Sequence, residues 1–274
     1  ARWYKSHPSR VGSKRTSGAR PKNPSTQFMK PVKKQPRLRM FAGPNGSGKS
    51  TIKDAIPDYL LGVYLNADDI EKQLGLTGRF DVSVFQASAE AALSFLRRSS
   101  FLAEQNLTDQ LEGVSVDQQS LNFAQLNMNS YFASVLVDFL RQHLLDQQIS
   151  FTFETVMSHR SKVDFLKAAR AHGFRTYLYF VATADPEINI SRVAYRVSQG
   201  GHAVEPQKII DRYGRSLDLL IDAISASHRA YIFDNSLDLD TDSTLLAEVT
   251  DGTELELKVD AVPMWFKTAV LDRF

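Results

Sequence analysis

The sequence predicts an α/β fold in which helices cover both faces of a parallel sheet. Short apolar runs alternate with segments of helical periodicity along most of the chain, which is typical of such a sheet. A glycine-rich segment at 43–51 stands between the first apolar run and the first helical segment. Near the end, two short runs flank Thr250-Asp251-Gly252, which predicts a β-hairpin at about 245–259.

Local signals place the elements in order. The first helix ends before Pro57, which cannot continue it. His172-Gly173 closes a later helix in C-cap position, and Asp185-Pro186 begins the next with a cap and a first-turn proline. The predicted strands cover about 38–42, 62–66, 149–153, 175–183 and 230–233, and the predicted helices lie at about 49–56, 69–74, 162–171, 185–198 and 207–226.

The segment 80–148 is predicted to be a mainly helical insertion. Its apolar residues recur at helical spacing in two groups, on either side of a polar stretch at about 112–119. The groups are Phe85, Ala89, Ala92, Leu93 and Leu96, then Phe132, Leu136, Phe139, Leu140 and Leu144.

Composition excludes several classes of protein. The 274 residues are 43% hydrophobic and 23% charged, which supplies ample material for a core. The absence of cysteine excludes a disulfide framework, a thiolate zinc site and a cysteine nucleophile. No run is long enough to span a membrane, and the first residues do not resemble a signal peptide. We expect a cytoplasmic protein without membrane contact.

The charge is distributed unevenly. Residues 1–53 hold 14 Lys and Arg and no acid, whereas the remainder holds 19 basic and 31 acidic residues. Residues 1–36 lack apolar periodicity, so they are predicted to form a flexible basic arm. The arm could be a solubilising tail or could bind nucleic acid. Nucleic-acid binding is not favoured, because the acidic remainder of the chain would repel a polyanion.

The segment Gly43 to Thr51 reads G-P-N-G-S-G-K-S-T and matches the P-loop pattern in full. In such a loop, backbone N–H groups hold phosphate oxygens, the lysine reaches the β- and γ-phosphates, and the following hydroxyl binds Mg²⁺. Lys49 and Ser50 take these two roles, so the expected ligands are ATP and Mg²⁺. The predicted nucleotide-binding residues of the loop are Gly43, Asn45, Gly46, Ser47, Gly48, Lys49, Ser50 and Thr51.

A carboxylate follows the second predicted strand, in the run Asn66-Ala67-Asp68-Asp69. Strand C-termini of a parallel sheet line the ligand crevice, so an acid there faces the γ-phosphate and can take the proton of an attacking hydroxyl. Asp68 is the predicted catalytic base. Asp69 is interpreted instead as the cap and first-turn acid of the next helix.

Glu154 closes the third predicted strand and so points at the same crevice, where it could orient the acceptor or hold a water on Mg²⁺. Arg160 follows it closely and could bind an anionic group of that acceptor, whereas His159 is interpreted as a surface-loop residue.

Four arginines suggest a lid over the triphosphate. Arg192 and Arg196 share a helix face at i, i+4 spacing, and Arg212 and Arg215 lie on the following helix beyond the hinge Gly200-Gly201-His202. Arg192 and Arg212 are predicted to bind the nucleotide, and Arg196, together with Lys49, to act in catalysis by neutralising charge on the transferred group.

These motifs together resemble the zeta toxin family of bacterial P-loop kinases, and most closely its chromosomal zeta-like branch. The runs that carry the likeness span about 38–236: the P-loop, N-A-D-D, F-E-T-V-M-S-H-R, R-V-A-Y-R-V-S-Q-G-G-H, R-Y-G-R-S-L and F-D-N-S. The resemblance implies one kinase-type P-loop domain over 37–274. By motif match, Asp68 falls on the family's base, Glu154 on its substrate-binding glutamate and Arg196 on a lid arginine.

The activity that the resemblance implies is ATP-dependent phosphorylation of the sugar 3′-hydroxyl of UDP-N-acetylglucosamine, with an antitoxin as partner. Thr155-Val156 replaces the Gly-Thr that follows the glutamate in characterised toxins. This difference bears on the identity of the acceptor more than on the type of reaction. We expect a kinase acting on a small phosphorylated metabolite. Two alternatives remain: a polynucleotide 5′-hydroxyl kinase that uses the basic arm, and a non-enzymatic ATP-binding module whose arm binds a partner.

Overall fold

A computed structural model describes residues 35–124, 126, 129–201, 203–237 and 243–274. The predicted basic arm lies outside these ranges except for its last two residues. Both of those contact the domain: the Gln35 side-chain amide donates to the Gly173 carbonyl, and the Pro36 carbonyl accepts from the Arg175 N–H at 2.9 Å.

The strands are β1 Arg37–Ala42, β2 Val63–Leu65, β3 Arg79–Asp81, β4 Ser115–Asp117, β5 Ser120–Asn122, β6 Phe151–Thr155, β7 Arg175–Ala182, β8 Arg229–Asp234, β9 Thr244–Thr250 and β10 Glu254–Leu257. The helices are α1 Lys49–Asp54, α2 Asp58–Leu61, α3 Ala67–Thr77, α4 Ala89–Arg97, α5 Ser100–Glu104, α6 Ser130–Asp146, α7 Ser161–Ala171, α8 Pro186–Ser198, α9 Pro206–Asp218, α10 Leu220–Ser225 and α11 Met264–Phe266. Short 3₁₀ turns span Ser83–Phe85 and Asp109–Gly113, and a π-helical turn spans Lys267–Leu271.

Seven strands form the central sheet in the order β10-β9-β8-β7-β1-β6-β2. The five from β2 to β8 pair in parallel, while β9 and β10 add an antiparallel edge. The predicted α/β class and the C-terminal hairpin are therefore confirmed. β1 lies in the middle of the five parallel strands, so the loop that follows it opens at the centre of their carboxyl edge.

The main core lies on one face of this sheet. Alternate strand residues such as Met40, Phe153 and Phe180 are fully buried there, together with apolar residues of the covering helices. Arg141 of α6 is buried with them, its guanidinium between the rings of Phe153 and Phe165. On β1 the residues of the opposite face, Arg39 and Phe41, are buried as well, which agrees with the short apolar runs that predicted the strands.

The insertion contains the predicted helices and also a small sheet. α4, α5 and α6 carry the apolar spacing, but β3, β5 and β4 form a three-stranded antiparallel sheet between them. Each of these strands has three residues and places a single apolar side chain inward, namely Phe80, Leu121 and Val116. Strands this short leave no periodicity to detect.

No helix in the described ranges combines the length and the apolar character that crossing a bilayer requires.

Candidate functional site

The glycine-rich loop connects β1 to α1, as the motif requires. Gly43 and Gly48 have φ angles of +142° and +94°, which side-chain-bearing residues rarely adopt. A Cβ atom on Gly43 would lie 2.0 Å from the Val181 carbonyl oxygen, and one on Gly48 would lie 2.1 Å from Nδ2 of Asn235. Both positions require glycine, so the backbone keeps the tight curve that forms a phosphate cradle.

The ammonium group of Lys49 closes this cradle. Its Nζ donates to the carbonyls of Gly43 and Pro44, both at 3.0 Å. Burial lowers the pKa of Lys49; the negative charges of Glu154 and Asp68 oppose this change, and the positive charge of Arg196 adds to it. The structure therefore brings the P-loop lysine within electrostatic reach of both predicted acids and one predicted lid arginine.

Two asparagines that the sequence analysis missed hold the loop from outside. Nδ2 of Asn189, in α8, donates to the Asn45 carbonyl at 2.6 Å, and Nδ2 of Asn235, after β8, donates to the Ser47 carbonyl at 2.8 Å. Asn235 belongs to the F-D-N-S run that contributed to the family resemblance, whereas no sequence signal singled out Asn189.

The arginines of the predicted lid have different partners. The guanidinium of Arg192 donates to the carbonyls of Asn235 and Leu237, at 2.7 and 2.5 Å, so it fixes the chain that follows β8. Arg212, on α9, donates to Oδ1 of Asn45 at 3.4 Å. Arg196 exerts its charge on Lys49. The α8–α9 connection includes His202, which lies outside the described residues.

The start of α3 differs from the prediction. The helix begins at Ala67, and its N-cap is Asn66, whose Oδ1 accepts from the Asp68 N–H at 2.9 Å. Asp69 is therefore not the cap; both acids lie in the first turn. Asn, Asp and Ser are similarly good caps, so the run N-A-D-D did not by itself show which residue would take the role. Asp68 is the one of the two acids whose charge acts on Lys49.

Glu154 is held by a tyrosine that the sequence analysis did not single out. It lies within β6, one residue before the strand ends, and accepts a 2.5 Å hydrogen bond from the hydroxyl of Tyr64 in β2. Nδ2 of Asn66 donates to the same hydroxyl at 3.1 Å, and Lys53 lies 4.9 Å from the centroid of the ring. Burial and the charge of Glu154 raise the pKa of Tyr64, so the phenol stays protonated and donates.

Arg160 contacts other acids. It is the N-cap residue of α7 and pairs with Asp222 of α10, while its Nε lies 3.8 Å from Asp164. Its ion pairs are therefore with these two acids and not with the acids that act on Lys49. His159 binds its neighbour Ser161 at 2.9 Å, as expected for a local loop contact.

The donors around the loop suit a triphosphate with its divalent cation. A backbone cradle that excludes side chains, the Lys49 ammonium and the exposed Ser50 match phosphate and hydroxyl-ligand chemistry. Within the described ranges no group of three or more His, Asp or Glu side chains is arranged to hold a metal ion. In a P-loop the hydroxyl that follows the lysine is a ligand of Mg²⁺, and Ser50 offers that hydroxyl.

Comparison with known families supports the resemblance over part of the chain. The zeta toxin family model matches residues 122–238, a range that includes Glu154 and the predicted lid but begins after the P-loop. The resemblance to the zeta toxins is thereby confirmed over this range.

Individual relatives are distant. A protein of Haemophilus influenzae without assigned function is 32% identical over 69 residues, 25% of this chain and 49% of its own length. A chain of the AvrRxo1-ORF1:AvrRxo1-ORF2 complex solved with ATP is 14% identical, with a TM-score of 0.47 over 82% of this chain and 61% of that one. A chain of the PezAT toxin–antitoxin system of Streptococcus pneumoniae is 15% identical, with a TM-score of 0.44 over 74% and 69%. This chain thus spans about half of the curated relative and less than two thirds of the AvrRxo1 chain.

Proposed function

We propose that this protein is an ATP- and Mg²⁺-dependent kinase that phosphorylates a hydroxyl of a small phosphorylated metabolite, such as the nucleotide sugar UDP-N-acetylglucosamine, and acts as a zeta-like toxin. One observation carries the proposal. The P-loop ammonium of Lys49 shares its electrostatic environment with two acids, Asp68 and Glu154, that come from different strand ends. Carboxylates so placed can take the proton of an attacking hydroxyl and contact the acceptor, which is what phosphoryl transfer to a hydroxyl requires.

The residues of the loop take separate roles. Backbone N–H groups between Gly43 and Lys49 bind the phosphate oxygens, and Lys49 turns from the carbonyls of Gly43 and Pro44 toward the β- and γ-phosphates. Ser50 holds Mg²⁺, which when bound neutralises charge on those phosphates. Arg212 and Asn189 keep Asn45 in place, so the cradle is formed before the nucleotide arrives.

Asp68 is the base of the transfer step. The acceptor oxygen attacks the γ-phosphorus, the new oxygen–phosphorus bond forms, and the bond to the β,γ-bridging oxygen breaks with ADP as leaving group. The hydroxyl proton passes to the Asp68 carboxylate. Lys49 and Arg196 stabilise the charge that spreads over the transferred group.

Glu154 orients the acceptor. Its Oε1 is occupied by Tyr64 at 2.5 Å, which leaves the second carboxylate oxygen for a hydroxyl of the acceptor. Asn66 links Tyr64 to the first turn of α3, so the acceptor glutamate and the proposed base are connected through two hydrogen-bonded side chains.

The experiment is mass spectrometry of a metabolite extract incubated with the protein, Mg²⁺ and ATP, with UDP-N-acetylglucosamine, NAD and an oligonucleotide added. A species heavier by one phosphoryl group is expected with the wild type and not with Asp68→Asn. Calorimetry should show that Asp68→Asn keeps its ATP affinity within about threefold, since the base does not hold the nucleotide. Normal turnover by this variant would refute the assignment of the base, and stoichiometric ATP binding without any phosphorylated product would favour the non-enzymatic alternative.

Toxicity and an antitoxin partner belong to the same proposal. Induced expression in a bacterial host should stop growth with the wild type but not with Asp68→Asn. Equal growth arrest by both proteins would separate any toxic effect from phosphoryl transfer.

A further inference from the structure

The central sheet has a second face, on the side opposite the main core. Side chains alternate between the two faces along a strand, and paired residues of neighbouring strands share a face. Strand pairing therefore gives this second face, which we call the arginine face, Arg37, Arg39 and Phe41 of β1, Arg175, Tyr177 and Tyr179 of β7, and Arg229 and Tyr231 of β8. Parallel strands are usually covered on both sides, yet the three tyrosines are only half-buried, so part of this face is open to a further molecule.

Four arginines give the arginine face its charge. Arg37, Arg175 and Arg229 are the first residues of β1, β7 and β8, and Arg39 is only 4% exposed. Glu248 of β9 pairs with Arg229 and offsets one of the four charges. Among the described residues neither Nη1 of Arg39 nor Nε of Arg229 has a hydrogen-bond partner, although both atoms are buried. These nitrogens need acceptors, which a bound molecule with negative charge would supply.

The aromatic rings of the arginine face already have partners. Three rings stack in one row, with centroids 4.7 and 5.0 Å apart and planes inclined by 12° and 15°, namely Phe41, Tyr179 and Tyr231. The guanidiniums of Arg39 and Arg175 lie 5.1 and 5.9 Å from the centroid of the Tyr177 ring. A nucleobase needs a free aromatic face on which to stack. The arrangement therefore does not favour nucleic acid as the bound molecule.

The tyrosine hydroxyls add hydrogen-bond donors to this charge. Burial, followed by the neighbouring Tyr231, raises the pKa of Tyr179 to about 12, and the charge and hydrogen bond of Arg39 oppose the rise. The phenol of Tyr179 is protonated at neutral pH, so it accepts from Arg39 and donates its own hydrogen outward. Guanidinium and hydroxyl donors on one surface match the oxygens of carboxylates.

The arginines lie in two rows, which restricts the shape of the bound molecule. Arg37 and Arg175 pair across β1 and β7 in one row, and Arg39 and Arg229 belong to the row two residues further along the strands. At about 3.3 Å per residue the rows are about 6.6 Å apart. Acidic side chains at alternate positions of an extended segment repeat at the same distance. Residues 1–34 contain no acid, so this part of the chain cannot supply them.

We infer that the arginine face binds an extended, acidic segment of a partner protein, whose carboxylates pair with Arg37, Arg175 and the unpartnered nitrogen of Arg39. Three of the four arginines stand at the first residues of their strands, whereas the P-loop follows the last residue of β1. The partner and ATP would therefore bind at opposite edges of the sheet. The inference does not depend on the proposed kinase function.

The test measures the binding of two fluorescently labelled dodecapeptides to the whole chain. One peptide alternates Glu and Ser, and the other alternates Gln and Ser, so they differ in charge but not in length. Fluorescence anisotropy gives their dissociation constants. The acidic peptide should bind at least about tenfold more tightly than the neutral one, because carboxylates form charge-assisted hydrogen bonds with the guanidiniums.

Variants assign this binding to the arginine face. Arg37→Gln with Arg175→Gln changes two exposed residues and should weaken the acidic peptide about fourfold or more, since each exposed ion pair contributes a factor of about two. Arg10→Gln with Arg15→Gln removes equal charge from residues 1–34 and should change the affinity less than about twofold. Arg39→Lys keeps the net charge but lacks the guanidinium fork, and should weaken the peptide about threefold. Urea unfolding of each variant shows that the domain is intact.

Several results would each overturn the inference. The first two are failure of the acidic peptide to bind and equal weakening by the two double variants, which would make the effect one of net charge. A thymidine dodecanucleotide that binds more tightly than the acidic peptide, and is lost in Arg37→Gln with Arg175→Gln, would assign the face to nucleic acid. A dimer seen by light scattering that the same variant dissociates would assign the face to a second copy of this chain.

Discussion

The contact between Gly48 and Asn235 gives a quantitative test of the cradle. Nδ2 of Asn235 donates to the Ser47 carbonyl at 2.8 Å. A Cβ atom on Gly48 would lie only 2.1 Å from the same Nδ2. Gly48→Ala must therefore displace the Asn235 side chain and also hold an alanine at a φ of +94°.

The two costs can be separated. An alanine in the left-handed region costs roughly 1–2 kcal/mol. Displacing Asn235 leaves the Ser47 carbonyl without its partner, which costs about 1–3 kcal/mol more. Gly48→Ala should therefore lower the free energy of unfolding by about 2–5 kcal/mol in the wild type, but by only about 1–2 kcal/mol in Asn235→Ala, where the obstructing amide is absent.

The assay is a double-mutant cycle over the wild type, Gly48→Ala, Asn235→Ala and the double variant. Urea unfolding gives the stabilities, and calorimetry gives the affinity for Mg²⁺·ATP. Gly214→Ala is the matched control, because Gly214 lies within α9 and a Cβ there meets no atom within 4 Å; it should be neutral or stabilising. If Gly48→Ala lowers the free energy of unfolding equally in both backgrounds, to within about 0.5 kcal/mol, then Asn235 does not hold the loop as argued.

Three further predictions concern ATP binding and the packing around the site. Because burial lowers the pKa of Lys49 from 10.5, the affinity for ATP should fall as the pH rises through that lowered pKa, and ATP binding at such a pH should take up protons. Calorimetry in buffers of different ionisation enthalpy measures the proton uptake. The absence of proton uptake at alkaline pH below 10.5 would contradict this prediction. Tyr64→Phe removes the hydroxyl that donates to Glu154 and should lower the free energy of unfolding, measured in urea, by about 1–2 kcal/mol. Tyr59→Phe, at a residue that is 84% exposed, should have no measurable effect. Equal effects of the two variants would show that the bond between Tyr64 and Glu154 does not stabilise the fold. Arg141→Ala should cost about 2–5 kcal/mol because it opens a cavity between the rings of Phe153 and Phe165, while Arg141→Met, which fills the space, should cost under about 1.5 kcal/mol; similar costs would show that packing between the aromatic rings is unimportant.

Much of the central sheet could be predicted because its signals are local. The short run 38–42, apolar except for Arg39, predicted β1, and Asp185-Pro186 marks the start of α8 where the structure has it. Local signals did not predict the small sheet of the insertion. β4 and β5 have only three residues each, and their conformation depends on strand pairing rather than on their own sequence.

The candidate site shows the same division. Lys49, Asp68 and Glu154 could be selected because each stands at the end of a predicted strand or in a recognised motif, and the structure brings them within electrostatic reach of one another. Tyr64 and Asn189 could not, because each looks like an ordinary strand or helix residue until its partner is known.

The sequence by itself therefore determined the order of most elements and the phosphate-binding loop, since periodicity, caps and a contiguous motif act over a few residues. The tertiary structure alone decided which side chains hold that loop and the acceptor glutamate. The bond between Tyr64 and Glu154 joins residues 90 positions apart, and that between Ser47 and Asn235 joins residues 188 apart. Such contacts depend on strand order and register, which no local pattern specifies.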